Sequence, residues 1–148
     1  MGFNPRLAPY SIAFEVFDAD PAADKTYKIF KFPAAGQFVG ATITNDAAIA
    51  TATNTVAVYI EKYNAAGTTL QGTLASFAAG STWAADVPRT AAVTAFGSTA
   101  LFASGEVISL KYDESTTGLL TDAFAQIDYV LGYITGATPS AAAAPAED

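Results

Sequence analysis

The chain has 148 residues, of which 51% are hydrophobic and only 14% are charged; its formal net charge is −7 at pH 7, and it contains no cysteine and no histidine. This length suits one domain with a substantial core, and the missing residue types exclude disulfides, thiolate catalysis and catalytic triads that contain histidine. The seven basic residues are scattered through an acidic chain, which argues against direct binding to nucleic acid.

In chain order, the predicted elements are an arm followed by short strands. Pro5 and Pro9 disfavour helix and central strand, so residues 1–10 are expected to form an extended arm. Apolar and polar residues then alternate, which is the pattern of half-buried strands. The predicted strands are residues 11–18, 26–32, 38–44, 54–63, 68–77, a short one near 90–96, 106–113 and 123–133. Gly72 is expected to weaken or bulge its strand.

The same alternation predicts which side chains face the core. The inward set is Ile12, Phe14, Val16, Val39, Ile43, Val56, Val58, Ile60, Ile108, Leu110, Ile127 and Leu131. Glu15 and Glu61 fall on the outward faces of their strands, where a solvated carboxylate is expected. Asp128, between Ile127 and Tyr129, is more unusual and is expected to be an outward carboxylate at a sheet edge or a subunit contact.

The last two strands predict a hairpin. Residues 106–113 and 123–133 alternate cleanly, and the turn-forming letters "DESTTG" stand between them. The connection is too long for the tightest turns, so we expect an antiparallel pair with a longer loop.

These strands predict an all-β fold, an antiparallel β-sandwich, because no segment keeps a helical apolar period over a dozen positions. The strand number and chain length favour an eight-stranded jelly roll, with another sandwich topology as the alternative. The predicted domain organisation is an N-terminal arm at 1–10, the sandwich at 11–135 and a low-complexity C-terminal tail at 136–148.

No motif indicates catalysis, a cofactor or a metal. Asp18, Asp20 and Asp24 resemble the start of a calcium loop, but Pro21 interrupts the pattern and the later EF-hand positions are missing. No nucleophile–base pair, phosphate loop or dinucleotide motif is present, so we expect a protein that is not an enzyme. The first residues match neither a secretory signal nor a myristoylation motif, and no segment is apolar enough to span a membrane.

Aromatic residues are the remaining candidates for function. Tyr59 and Tyr63 share the outward face of one predicted strand, and Trp83 lies in a predicted loop. Exposed aromatics on a β-sandwich can stack on sugars, but aromatics are also enriched in protein interfaces, and the scarcity of charge favours an interface. The predicted interface residues are Phe3, Leu7, Tyr10, Phe17, Tyr59, Tyr63 and Phe124.

Three stretches, "KTYKIFKFPAAGQFVGATITNDA", "GEVISLKYDES" and "DAFAQIDYVLGY", resemble small jelly-roll proteins that decorate or cement the capsids of tailed bacteriophages. The resemblance covers roughly residues 11–134. It implies a homotrimer on the outer capsid surface that bridges subunits of the major capsid protein and is made in the host cytoplasm. The alternative is a glycan- or receptor-binding module of a virion fibre or cell surface.

Overall fold

The computed structural model describes residues 9–17, 25–48, 56–78, 82–93, 100–114 and 123–132. These residues contain no α-helix and form two five-stranded antiparallel sheets. The inner faces of the two sheets contribute to one buried apolar cluster. The domain is therefore an all-β sandwich, as the alternating sequence predicts.

Ten strands make up the described part of the chain. Seven are long: β1 (Pro9–Phe17), β2 (Lys25–Lys31), β3 (Gly36–Thr44), β4 (Val56–Tyr63), β5 (Leu70–Phe77), β9 (Val107–Glu114) and β10 (Ala123–Leu131). Three have two residues each: β6 (Arg89–Thr90), β7 (Ala92–Val93) and β8 (Leu101–Phe102).

The pairing of these strands is nested. Sheet A has the order β1-β10-β3-β6, with β8 also paired to β3, and sheet B has the order β2-β9-β4-β5-β7. Thus β1 pairs with β10, β2 with β9, β3 with β8 and β4 with β5. Such nesting arises when one long antiparallel hairpin is folded over so that its successive segments lie in opposite sheets.

The predicted C-terminal hairpin is wrong. β9 lies in sheet B between β2 and β4, whereas β10 lies in sheet A between β1 and β3, so the two strands do not pair with each other. Packed sheets are about 10 Å apart, and residues 115–122 provide enough chain to cross between them. Alternation predicts which side of a strand is apolar, but it does not identify the neighbouring strand.

Six predicted inward residues are confirmed in the core. Their side chains are at most 1% exposed: Ile43, Val58, Ile60, Ile108, Leu110 and Ile127. Ile12 and Leu131 are partly buried and pack against this core. The side chains of Phe14, Val16 and Val56 lie outside the described part of the structure.

Val39 was predicted to face the core, and that prediction is wrong. Gly40 pairs with Asp128 and Phe38 pairs with the next residue, Tyr129, so Val39 is the extra residue of a β-bulge. A bulge shifts the alternation by one residue. Phe38 is consequently buried, whereas Val39 is 49% exposed.

Other boundaries differ less. β1 begins at Pro9 rather than residue 11, so Pro9 and Tyr10 belong to the sheet and only residues 1–8 of the predicted arm lie outside the described residues. Register shifts opposite Tyr63 and Ile60 confirm that β5 is irregular around Gly72. The two-residue strand β8 is too short to produce an alternating pattern, and sequence reasoning missed it.

Candidate interaction surfaces

The outer face of sheet A is almost free of charge. Strands β1, β10, β3 and β6 place small or uncharged side chains on it, among them Ser11, Ala13, Gln126, Thr42, Thr44 and Thr90. Phe124 projects from this face and is 53% exposed, and the bulge adds the exposed Val39. Gly40 leaves open space where a side chain would stand. Apart from Asp128, the described side chains of this face are therefore uncharged, and two apolar groups protrude from it.

Asp128 is the one charged group among the described side chains of this face. Its Oδ1 accepts hydrogen bonds from Ser11 Oγ at 2.5 Å and from Gln126 Nε2 at 2.9 Å. Both donors lie on the same face, one on the neighbouring strand β1 and the other on β10 itself. The carboxylate is therefore held along the sheet surface by its neighbours while it stays partly exposed.

The outer face of sheet B carries charges and tyrosines instead. Lys28, Ser109 and Glu61 stand side by side across β2, β9 and β4. In the next row Lys111 on β9 pairs with Tyr59 on β4. The two sheets thus present outer faces of different chemistry.

Glu61 is on the predicted outward face but is buried rather than solvated. Tyr63 Oη donates a hydrogen bond to Glu61 Oε2 at 3.1 Å. Burial raises the pKa of Tyr63, and the charge of Glu61 raises it further. Burial also lowers the pKa of Lys28, while attraction to Glu61 opposes that change. Glu61 thus favours the neutral form of Tyr63 and the charged form of Lys28.

Lysine ammonium groups lie over the rings of both predicted interface tyrosines in sheet B. Lys28 Nζ is 2.7 Å from the centroid of the Tyr63 ring, and Lys111 Nζ is 5.5 Å from that of Tyr59. Lys111 also forms an ion pair with Asp113 at 3.0 Å. Cation–π contacts of this kind occupy the ring face that a sugar would need for stacking.

A buried lysine links the two sheets. Lys62 continues the inward-facing series of β4, and its Nζ donates to the carbonyl oxygen of Leu101 in sheet A at 2.6 Å. The same Nζ lies 3.8 Å from Glu106 Oε2, which accepts a further hydrogen bond from the Ala103 N–H. Burial lowers the pKa of Lys62, and Glu106 opposes the change. Sequence reasoning did not single out either residue for this role.

A second inward-facing cation, Arg89, lies on β6 at the edge of sheet A. Arg89 pairs with the core residue Ile43, and its guanidinium carbon is 4.7 Å from the centroid of the Trp83 ring. Trp83 is only 3% exposed and packs near Phe77. Trp83 was predicted to lie in a loop, where it was considered for sugar stacking, but its ring is part of the core.

The predicted interface residues do not share one surface. Phe124 is on the outer face of sheet A, whereas Tyr10 pairs with the core residue Tyr129 and stacks on it, so Tyr10 lies on the inner side of the β1 edge, where it is 40% exposed. Tyr59 and Tyr63 belong to sheet B. Phe17 ends β1, where its backbone pairs with β10, and the structure does not describe its side chain. Phe3 and Leu7 lie outside the described residues.

In the described ranges, no group of three or more histidine, cysteine, aspartate or glutamate side chains could hold a metal ion. The aspartates of the calcium-like stretch, Asp18, Asp20 and Asp24, lie outside these ranges. Within the described part of the chain there is also no helix that has the length and apolarity for a membrane span.

Comparisons with protein-family models, curated proteins and solved structures found no match for this chain.

Proposed function

We propose that this chain is a virion structural protein without enzymatic activity, a decoration or cement protein that bridges subunits of a bacteriophage capsid. Under this proposal it assembles as a homotrimer on the outer capsid surface and contacts the major capsid protein. The observation that carries the proposal is the low charge of the outer face of sheet A, where Asp128 is the one charged group among the described side chains, because a contact between proteins then requires the removal of water from few charged groups.

The nested strand pairing supports the jelly-roll part of the proposal. A jelly roll is a double-sheet sandwich of two Greek keys, in which a strand returns over a long connection to lie beside an earlier one. Here β10 returns beside β1 and β9 returns beside β2. The order of both sheets is the one expected when such a hairpin is rolled up.

The charges of the edge strands β1 and β2 favour self-association through sheet A over self-association through sheet B. β2, at the edge of sheet B, carries Lys25, Lys28 and Lys31, and edge lysines oppose the pairing of sheets from different molecules. β1, at the edge of sheet A, is nine residues long and has one charged residue, Glu15. We therefore expect the contacts between copies to involve sheet A and its β1 edge.

The test measures the mass of the purified protein in solution and its addition to undecorated capsids. We compare Phe124→Lys on sheet A with Ala57→Lys on sheet B. Both substitutions add a lysine to an outer face opposite a carboxylate residue, since Phe124 pairs with Glu15 and Ala57 pairs with Asp113. Phe124→Lys should reduce trimer formation or capsid binding while leaving the melting temperature nearly unchanged, and Ala57→Lys should alter neither assembly property.

A wild-type protein that stays monomeric and does not bind capsids would contradict the proposed function. Equal effects of the two variants on assembly would contradict the assignment of the contact to sheet A.

The alternative function is binding of a glycan or receptor, and the tyrosine pair of sheet B is the observation that favours it. Tyr59 and Tyr63 share a face with Glu61 and two lysines, a combination of aromatic and polar groups that suits a sugar. The lysines over both rings weigh against it. Binding to a glycan array that disappears in Tyr59→Ala would favour this alternative over the capsid proposal.

A further inference from the structure

Arg89 occupies a position in the sheet that normally belongs to an apolar residue. Its backbone partner is Ile43, which is buried in the core, so the register places Arg89 on the inner side of sheet A. Its guanidinium packs on Trp83 instead of extending into solvent. Burial lowers the pKa of Arg89, and no carboxylate offsets this change.

Two buried donors at this position have no acceptor. Arg89 Nη1 and Trp83 Nε1 are both inaccessible to solvent and neither forms a hydrogen bond. Arg89 Nη2 reaches the carbonyl oxygen of Ala78, at the long distance of 3.4 Å. A buried donor without a partner is unfavourable, and more so when the donor is charged. This pair of groups therefore needs an oxygen acceptor.

Three lysines that contact aromatic rings or lie buried each have an acidic neighbour, which Arg89 lacks. Lys62 is paired with Glu106 and Lys111 with Asp113, and Lys28 is attracted by Glu61. Arg89 has no ion pair with any carboxylate of the described residues. In a chain with a net charge of −7, a desolvated arginine without a counter-charge stands out.

Among the described residues, Arg89 is flanked in the chain by exposed apolar side chains, while Asp86 and Asp46 are the exposed carboxylates of the adjoining turns. Val87 is 56% exposed, and Ala85, Pro88 and Ala92 are exposed beside it. Asp86 donates its backbone N–H to the carbonyl oxygen of Asn45. If an acidic side chain of a second protein approached Arg89, the apolar residues next to that side chain would contact the exposed Val87 and Pro88.

We propose that Arg89 and Trp83 form a binding site for a carboxylate that an acidic side chain of a partner protein presents among apolar residues. Both donors are covered in the unbound protein, so binding includes an outward movement of the partly exposed Arg89 side chain. The guanidinium then neutralises the carboxylate and donates to it from Nη1, and the uncovered indole Nε1–H supplies a second donor. The site goes beyond the proposed function, because carboxylate binding at Arg89 can be measured in the absence of any capsid.

The test exploits the fact that Trp83 is the only tryptophan in the chain. Its fluorescence is recorded during titration at constant ionic strength with acetyl-Val-Glu-Ala-amide, and in parallel with acetyl-Val-Gln-Ala-amide and sodium acetate. We expect a saturable change with the glutamate peptide and at least about tenfold weaker binding of the glutamine peptide, since a charged hydrogen bond is lost. Acetate should also bind more weakly, because it lacks the apolar neighbours.

Two variants locate the site. Arg89→Gln should abolish the difference between the glutamate and glutamine peptides, whereas Lys111→Gln, which removes a cation that already has a carboxylate, should leave it unchanged. If Arg89→Gln does not fold, the wild-type protein still decides, because its single indole N–H resonance should shift on addition of the glutamate peptide alone.

The proposal fails if both peptides give the same response, or if Arg89→Gln binds the glutamate peptide as well as the wild type does. It also fails in its choice of partner if acetate binds as tightly as the peptide, since the site would then be one for free small carboxylates.

Discussion

Truncation of Leu110 to alanine tests the packing of the sandwich at its centre. Leu110 is fully buried on β9, the strand between β2 and β4, and it stands directly opposite Tyr27 on one side and Ile60 on the other. Neighbours on both sides belong to hydrogen-bonded strands, so they have little freedom to move into the space that the smaller side chain leaves.

The expected cost follows from the atoms removed. Leu→Ala deletes three carbon groups, which at about 0.8 kcal/mol each gives roughly 2.4 kcal/mol of lost transfer free energy. A residual cavity raises this, so we expect the free energy of unfolding to fall by about 3 to 4 kcal/mol. For a domain of this size that corresponds to a drop of roughly 10 °C in the melting temperature.

Urea unfolding followed by Trp83 fluorescence measures this change, and Val39→Ala is the matched control. Val39 was predicted to be inward but lies exposed in a bulge, so its truncation should change the free energy of unfolding by no more than about 0.5 kcal/mol. A loss below 1 kcal/mol for Leu110→Ala, or equal losses for the two variants, would refute the strand phases described above.

Three further predictions concern charge and the arm. Lys62→Met leaves Glu106 buried without its cation and should cost about 3–5 kcal/mol, and adding Glu106→Gln should recover much of this in a urea-unfolding cycle. Burial raises the pKa of Tyr129, and the nearby Tyr10 raises it further. The unfolded state therefore loses this proton first and the free energy of unfolding falls as pH rises above about 10. Tyr129→Phe should make that fall shallower in melts at increasing pH, whereas an unchanged fall would contradict the shift. Deletion of residues 2–8, which precede β1, should leave the melting temperature nearly unchanged but lower occupancy on capsids, and unfolding of the sandwich would contradict this.

The sequence predicted the strands well because alternation is a local property. Ile60 and Leu110 each sit in an uninterrupted run of alternating residues, and both are in the core. Val39 was mispredicted because a bulge is defined by the partner strand. It is an extra residue only in comparison with β10, where Asp128 and Tyr129 follow each other without a residue between them. The pairing of β9 and β10 was mispredicted for the same reason, since the partner of a strand is set by packing between distant segments.

The candidate surfaces were less accessible to sequence reasoning. Glu61 and Lys62 are adjacent charged residues at the end of a strand, a pattern that usually indicates solvent exposure. Their burial depends on residues remote in the chain, namely Lys28 above Tyr63 and Glu106 beside Lys62. A hint was available for Lys62, because it continues the inward period of Val58 and Ile60. No comparable signal marked Arg89, whose strand has only two residues.

The distribution of charge links the proposed function to the carboxylate site. On the outer face of sheet B, Lys111 pairs with Asp113 and Lys28 is attracted by Glu61, so these two cations already have acidic neighbours. In sheet A the outer face has almost no charge to satisfy, and Asp128 is bonded to its own neighbours. Arg89, at the β6 edge of that same sheet, packs on Trp83 and has no carboxylate partner among the described residues. A partner that covers sheet A and supplies one carboxylate near β6 would therefore meet both requirements, whereas a partner on the outer face of sheet B would have to cover charged groups that already have acidic neighbours.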